Sequence, residues 1–135
     1  MKSDDSDTAV TPTRAELVIL NVLWKHGHLT VRSVHERMPR TKSCGYTTVL
    51  KLLQIMHGKG LVRRDTSKRA HVYRPVSDKS TVQMQLTSEL VRQAFDDSPA
   101  QLIMRALEQS GRFQSEDIDA IRARLKLLED RRRKK

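Results

Sequence analysis

The first half of the sequence contains three short amphipathic helical patterns, each closed by a glycine or a proline, followed by two short strand patterns. Thr13 and Glu16 have the spacing of a capping box, and Gly27 ends the helix that they begin. Thr30 is the predicted N-cap of a second, short helix that Pro39 ends. The predicted inward faces are Leu17, Leu20 and Trp24, flanked by Val18 and Leu23, in the first helix, and Val31, Val34 and Met38 in the second.

The third helical pattern has one apolar face and one polar face. It runs from about Tyr46 to His57, and Gly58 and Gly60 are its predicted stop. Thr47, Lys51 and Gln54 lie opposite the apolar face, with Thr48 on the shoulder. Such side chains suit a major groove because they donate to and accept from base edges, and threonine also contacts the thymine methyl group. The predicted inward residues are Val49, Leu52, Leu53 and Met56.

Two strand patterns, residues 61–65 and 70–73, follow the third helix and are joined by a tip at residues 66–69. Three helices followed by a basic hairpin predict a winged helix-turn-helix. Lys68 and Arg69 at the tip are predicted to contact phosphates, which adds affinity rather than sequence preference. Lys42, in the basic connection before the third helix, and Tyr46, at its start, complete the predicted DNA-binding residues.

The remainder of the chain has a wholly helical pattern. Ser98 and Pro99 predict one helix start, Gly111 a stop, and Ser115 the N-cap of a last helix. Three short amphipathic helices bury little apolar surface alone, so we predict that they form a dimerisation domain. Its predicted contact residues are Val82, Leu86, Leu90, Leu102, Ile103, Leu107, Ile118, Ile121 and Leu125.

The predicted fold is therefore mainly α: a winged helix-turn-helix with a small β-hairpin wing, plus a C-terminal three-helix dimerisation domain. The predicted organisation is a flexible acidic tail at residues 1–11, a DNA-binding domain at 12–76, a dimerisation domain at 77–130 and a solvated basic tail at 131–135.

The positive charge lies mostly in the predicted DNA-binding domain. The chain has a formal net charge of +10, and residues 12–76 hold 13 basic side chains against 3 acidic ones. A polyanionic partner, either nucleic acid or an anionic membrane surface, explains such a charge. The concentration of the excess in one segment favours nucleic acid.

Other classes of protein lack support in the sequence. No apolar run reaches the ~20 residues of a membrane span, and the acidic N-terminus does not resemble a signal peptide. A single cysteine, Cys44, fits a reducing cytoplasm, where we expect the protein to act. No catalytic motif, metal-ligand spacing or cofactor fingerprint is found, so we predict neither an enzyme nor a cofactor. A thiol switch at Cys44 stays open, because the residue lies just before the third helix.

The chain also resembles the BlaI/MecI/CopY family, the penicillinase and copper-resistance repressors. The similar segments, in order, are residues 15–24, 29–35, 45–56, 59–64 and 69–75, and the resemblance extends from about Thr11 to Leu128. It implies a homodimer that binds double-stranded DNA at a palindromic operator, typically with TACA and TGTA half-sites, and blocks transcription.

Two features depart from that family. Copper-responsive members carry a C-terminal cysteine cluster, which is absent here. The β-lactam-responsive members are cut by a membrane sensor protease at an Asn-Phe bond, where this chain has Arg105 and Ala106. The resemblance therefore gives only weak grounds for a sensor protease as a partner.

One alternative shares the fold, because a winged helix also occurs in modules that bind protein or RNA. The polar outward face of the third helix favours duplex DNA, since a protein-binding module would expose apolar anchors there.

Overall fold

The computed structural model describes residues 10–39 and 44–134, which form two compact units that divide between Glu89 and Leu90. The first unit contains three helices, three strands and the start of a fourth helix: α1 (Arg14–His26), β1 (Leu29–Thr30), α2 (Val31–Glu36), α3 (Tyr46–Lys59), β2 (Val62–Asp65), β3 (Val72–Pro75) and the first part of α4 (Lys79–Ala94). The second unit contains the rest of α4, α5 (Pro99–Leu107), a 3₁₀ turn (Ser110–Arg112) and α6 (Ser115–Arg133). The predicted boundary between residues 76 and 77 falls between β3 and α4, earlier than this division.

Local capping residues set the helix starts. The Thr13 hydroxyl accepts a hydrogen bond from the Glu16 N–H at 3.2 Å, and the Glu16 carboxylate accepts one from the Thr13 N–H at 2.9 Å. The Thr30 hydroxyl caps α2 by accepting a hydrogen bond from the Ser33 N–H, and Ser98 caps α5 with Pro99 in its first turn. These three predicted helix starts are confirmed. They were predictable because each cap depends only on residues within one helical turn.

Several predicted helix ends were wrong. Gly58 and Gly60 were both predicted to stop α3, but Gly58 lies inside the helix. Gly60 is its C-cap as predicted, and the φ of 83° there is a left-handed conformation that favours glycine. α2 ends at Glu36, three residues before Pro39, so Met38 lies outside the helix. α5 ends at Leu107, and Gly111 lies in the following 3₁₀ turn.

The last helix begins and ends differently from the prediction. Gln114 rather than Ser115 is its N-cap, and the Asp117 carboxylate accepts a hydrogen bond from the Gln114 N–H at 2.9 Å. α6 continues to Arg133, so most of the predicted basic tail is helical.

The sheet has three antiparallel strands in the order β1-β3-β2. β3 is central, and Tyr73 lies opposite Leu29 on one side and Arg64 on the other. The hairpin was predicted, but β3 begins at Val72 rather than at residue 70. β1 was missed because a two-residue strand has no sequence period and depends on pairing with a distant segment.

One core, formed by the three helices and the sheet, holds the first unit together. The predicted inward faces contribute to it, but Ile19 was missed and is fully buried, whereas Leu17 and Trp24 are only partly buried. The Trp24 indole N–H donates to the Ser77 carbonyl at 3.0 Å, which ties α1 to the segment before α4. The buried core residues are Ile19, Leu20, Leu23, Val31, Val34, Val49, Leu53, Met56, Val62 and Tyr73.

The second unit has little core of its own. Among its described residues only Val91 is a buried apolar side chain. Asp96 and Asp97 have φ values of 53° and 60°, and this left-handed turn separates α4 from α5. Aspartate tolerates such a conformation better than most residues.

Candidate nucleic-acid interface

The exposed face of α3 carries the four predicted base-reading residues. Thr47, Thr48, Lys51 and Gln54 are all exposed, while Val49, Leu53 and Met56 of the same helix are fully buried. The helical period places these two sets on opposite sides. α3 is therefore held to the core by one face and presents hydrogen-bonding side chains on the other.

A groove of about 540 Å³ lies between α3 and the wing, which we define as β2, β3 and the loop between them. Tyr46 and Gln54 line it from α3, and Arg69 lines it from the wing. The structure thus brings together three of the predicted DNA-binding residues. Arg32 of α2 and Arg64 of β2 also line this groove, although the sequence analysis did not single them out. The alternation of side chains along β2 could have identified Arg64. It lies two residues after the buried Val62 and therefore on the same face of the strand.

Thr48 lies on the other flank of α3. It lines a smaller cavity of about 260 Å³ together with Arg14 of α1 and with Cys44. Thr48 and Gln54 therefore mark two edges of one exposed helical face, with Thr47 and Lys51 between them.

A local turn shapes the tip of the wing. The Ser67 N–H donates to the Asp65 carboxylate at 2.9 Å. The hydrogen bonds from Ser67 lower the pKa of Asp65, and nearby Lys68 and Arg74 add a smaller electrostatic contribution. Lys68 and Arg69 are both exposed. Predicted residue Lys42 lies outside the described residues.

The outer face of the wing is also basic. Arg63 and Arg74 are directly opposite each other on β2 and β3, and they line a shallow cavity of about 760 Å³ with His28 and His57. Like charges placed opposite each other disfavour pairing of the strands. In residues 10–39 and 44–134, no carboxylate lies within ion-pair distance of either arginine. Both faces of the wing therefore present positive charge without a bound carboxylate.

An ion pair to a buried carboxylate joins α1 to α3. The Lys59 ammonium contacts both carboxylate oxygens of Glu16, at 2.8 and 2.9 Å, and Glu16 is only 2% exposed. Burial raises the pKa of Glu16, but the hydrogen bonds from Lys59 and Thr13 together outweigh it, so the pKa lies below its ordinary value. The sequence indicated Glu16 only as a capping residue, since nothing local identifies a partner 43 positions away.

The described parts of the chain hold no group of three or more histidine, cysteine or carboxylate side chains arranged to bind a metal ion. Within the same residues, no helix combines the length and the apolar character needed to cross a bilayer. Cys44 is a partly buried free thiol.

Comparisons with known proteins agree with this geometry. The family model described as "Penicillinase repressor" matches residues 12–127. The chain belongs to the penicillinase repressor family. Its relatives include "Transcriptional regulator BlaI" from two strains of Mycobacterium tuberculosis (CDC 1551 / Oshkosh and ATCC 25618 / H37Rv), each 32% identical over 116 residues that cover 84% of this chain and 82% of the relative.

Solved structures add two similarities. One is "Solution structure of the DNA binding domain of the repressor BlaI", which is 28% identical, with a TM-score of 0.46 and coverage of 51% of this chain and 84% of that one. The other is a MarR family protein from Bacillus stearothermophilus, which is 19% identical, with a TM-score of 0.51 and coverage of 96% of this chain and 81% of that one. The second similarity concerns the fold alone.

Family membership settles the class of function. The chain is a transcriptional repressor that binds DNA, and it is not an enzyme. The resemblance drawn from the sequence is thereby confirmed. Membership also decides between DNA binding and the protein- or RNA-binding alternative, in favour of DNA.

Proposed function

We propose that the repressor binds a palindromic operator as a homodimer and blocks transcription there. The observation that carries this proposal is the uncovered apolar surface of the second unit. Large apolar side chains that are more than two-fifths exposed occur on all of its helices: Leu90, Ile103, Met104, Leu107, Ile118, Leu125, Leu127 and Leu128. A unit that buries so little internally gains most from pairing with an identical unit, and a two-fold pair matches a palindrome.

The proposed dimer surface differs in part from the predicted one. The predicted residues Leu86, Leu102 and Ile121 are partly buried, and Met104, Leu127 and Leu128 join the exposed set. Val82 is only 4% exposed and lines a cavity with Leu20 in the first unit. We therefore leave Val82 out of the dimer surface, because its side chain is already covered within its own unit.

In the proposed complex, the exposed face of α3 reads base edges and the wing contacts phosphates. Thr47, Thr48, Lys51 and Gln54 supply donors and acceptors for the bases, and Tyr46 contacts the backbone at the start of the helix. Lys68 and Arg69 of the wing, with Lys42 before α3, add sequence-independent attraction.

Release of this repressor by a membrane sensor protease has weaker support. Arg105 and Ala106 occupy the position where the resemblance places an Asn-Phe cleavage bond. They lie inside α5, where the Arg105 guanidinium forms an ion pair with Glu108 at 2.9 Å. We propose that DNA release in this chain does not depend on cleavage at that bond.

The test uses DNA chosen by the protein itself. Duplexes enriched from a randomised pool are expected to contain an inverted repeat, and Thr48→Ala should weaken binding to them by about 1–3 kcal/mol. Its effect on a random duplex should be much smaller. Thr87→Ala, which changes an exposed threonine on α4, is the matched control and should leave both affinities unchanged. Equal losses on both duplexes would assign Thr48 to the DNA backbone, and an enriched pool without a repeat would contradict the palindrome.

A further inference from the structure

The start of α3 is anchored differently from the start of every other α-helix in the described residues. In four of the others a side chain accepts a hydrogen bond from the first turn: Thr13, Thr30, Asp78 and Ser98. At the start of α6, the Asp117 carboxylate accepts a hydrogen bond from the Gln114 N–H. The N-cap of α3 is Gly45, which has no side chain to accept such a bond. The N–H groups in the first turn of α3 therefore lack a side-chain acceptor, so this turn gains from support elsewhere.

That support comes from His35 in the last turn of α2. Its Nε2 lies 2.9 Å from the Cys44 carbonyl oxygen, one residue before the N-cap. Because a carbonyl only accepts, Nε2 carries the proton and donates. The His35 ring also meets the Tyr46 ring edge to face, with centroids 6.1 Å apart and planes at 80°. One partly buried side chain thus contacts the residues on both sides of Gly45.

We propose that His35 is a positioning residue for sequence recognition, an inference that rests on the proposed reading of bases by α3. The hydrogen bond fixes the backbone where α3 begins, and the ring contact fixes Tyr46 at the edge of the groove. Thr47 and Thr48 follow directly in the same turn. Without His35, the first turn of α3 frays, and these side chains meet the base edges in more than one arrangement. Base readout depends on bidentate geometry, whereas phosphate attraction tolerates such variation.

Three substitutions separate the two contacts of His35. His35→Ala removes both, and His35→Phe keeps an aromatic ring beside Tyr46 but has no donor. In His35→Gln, the amide nitrogen replaces Nε2 as the donor to Cys44. His26→Ala, which changes an exposed histidine at the end of α1, is the matched control.

Amide hydrogen exchange in the free, full-length protein tests the positioning by itself. The Val49 N–H, which donates to the Gly45 carbonyl at 3.2 Å, should exchange about tenfold faster in His35→Ala. His35→Gln should restore most of the protection, and the amide of Leu20 in α1 should not change in either variant. Unchanged exchange at Val49 in His35→Ala overturns the inference, and so does equal acceleration at Leu20, which would indicate general destabilisation.

Titration with DNA tests the consequence for recognition. The probes are the duplex most enriched from a randomised pool by the unmodified protein and a random duplex of equal length. We expect His35→Ala to reduce the ratio of the two affinities by about tenfold, with binding to the random duplex nearly unchanged, and His35→Gln to recover most of the ratio. Faster exchange at Val49 with an unchanged ratio would instead contradict the proposed reading of bases by α3. The two failures are therefore distinguishable.

Discussion

The two units of this repressor bury their apolar residues to very different degrees. In the first unit, helices α1 to α3 and the sheet share one core, and residues such as Leu23, Val34 and Leu53 have no exposed surface. In the second unit, α5 and α6 have no buried residue among those described, and Leu125 is 52% exposed. Both units contain amphipathic helices, so their sequence patterns look alike. Only the first unit also has a sheet against which its helices pack.

This difference indicates which contacts each unit needs. Apolar burial contributes about 25 cal/mol per Å², so the shared core is a source of stability within the first unit. The second unit lacks such a core, and in the proposed dimer it gains this contribution from the identical stripe of a second copy. We infer that DNA reading is a property of one chain, whereas tight operator binding is a property of two.

A charge in the exposed stripe of the second unit should have the largest effect. Leu125→Glu places a carboxylate where the proposed dimer excludes water. A buried charge without a partner destabilises such an interface. A single chain presents only one DNA-binding unit to the operator and loses the high effective concentration of a linked second unit. Operator affinity should therefore fall by ~10²–10⁴-fold. A titration with the enriched palindromic duplex measures the loss.

Ser88→Glu provides the control for that prediction. Ser88 is exposed on α4, on the opposite face from Leu86 and Leu90. The added charge is the same, so operator affinity should change only slightly. Equal losses in both variants would mean that negative charge, rather than dimer contact, weakens DNA binding.

Removing the ion pair that joins α1 to α3 should have the next largest effect, on the stability of the first unit. Lys59→Met leaves the buried Glu16 carboxylate without its main partner, and we expect the free energy of unfolding to fall by about 2–3 kcal/mol. This figure is below the usual range for buried pairs because Lys59 is 33% exposed. Lys51→Met, on the exposed face of α3, is the matched control and should leave urea unfolding unchanged. Similar stability for both variants would show that the ion pair contributes nothing.

The same ion pair predicts a dependence on pH. The pKa of Glu16 is lower in the folded chain than its ordinary value. Its stabilising contribution is therefore present above the ordinary glutamate pKa, and it is lost as the pH falls through the lowered folded-state value. The stability difference between the unmodified chain and Lys59→Met should shrink in that acidic range. A difference that grows as the pH falls would contradict the assignment of the carboxylate as charged.

Features determined within one helical turn were predictable from the sequence, and features that need a distant partner were not. The caps at Thr13, Thr30 and Ser98 were correct because donor and acceptor lie three residues apart. The exposed and buried faces of α3 followed from its period. β1 was missed because it forms only by pairing with β3, which lies far along the chain. The ion pair of Lys59 with Glu16 was missed for the same reason.

The candidate site shows the same limit. Thr47, Thr48, Lys51 and Gln54 were identified from their position opposite an apolar stripe, and all four are exposed. Arg32 was missed because it belongs to α2, and only the folded chain brings it to the groove beside Tyr46. The contacts of His35 were missed for the same reason.

The wing should have the smallest effect and should not discriminate between sequences. Lys68→Ala is expected to weaken binding about equally on the enriched and random duplexes. The slope of log affinity against log salt should become shallower by roughly 0.9, because one phosphate is no longer neutralised by the lysine. Lys79→Ala, which changes an exposed lysine in the first turn of α4, is the control. An unchanged slope in Lys68→Ala would mean that the wing tip does not reach DNA.

Sedimentation equilibrium of the full chain tests the central claim, that the second unit is completed by a second copy. The mass of one chain is 15.6 kDa. We predict a species of twice that mass at the concentrations where the operator titration saturates, and a single-chain mass for Leu125→Glu under the same conditions. A single-chain mass for the unmodified repressor at those concentrations would contradict the account.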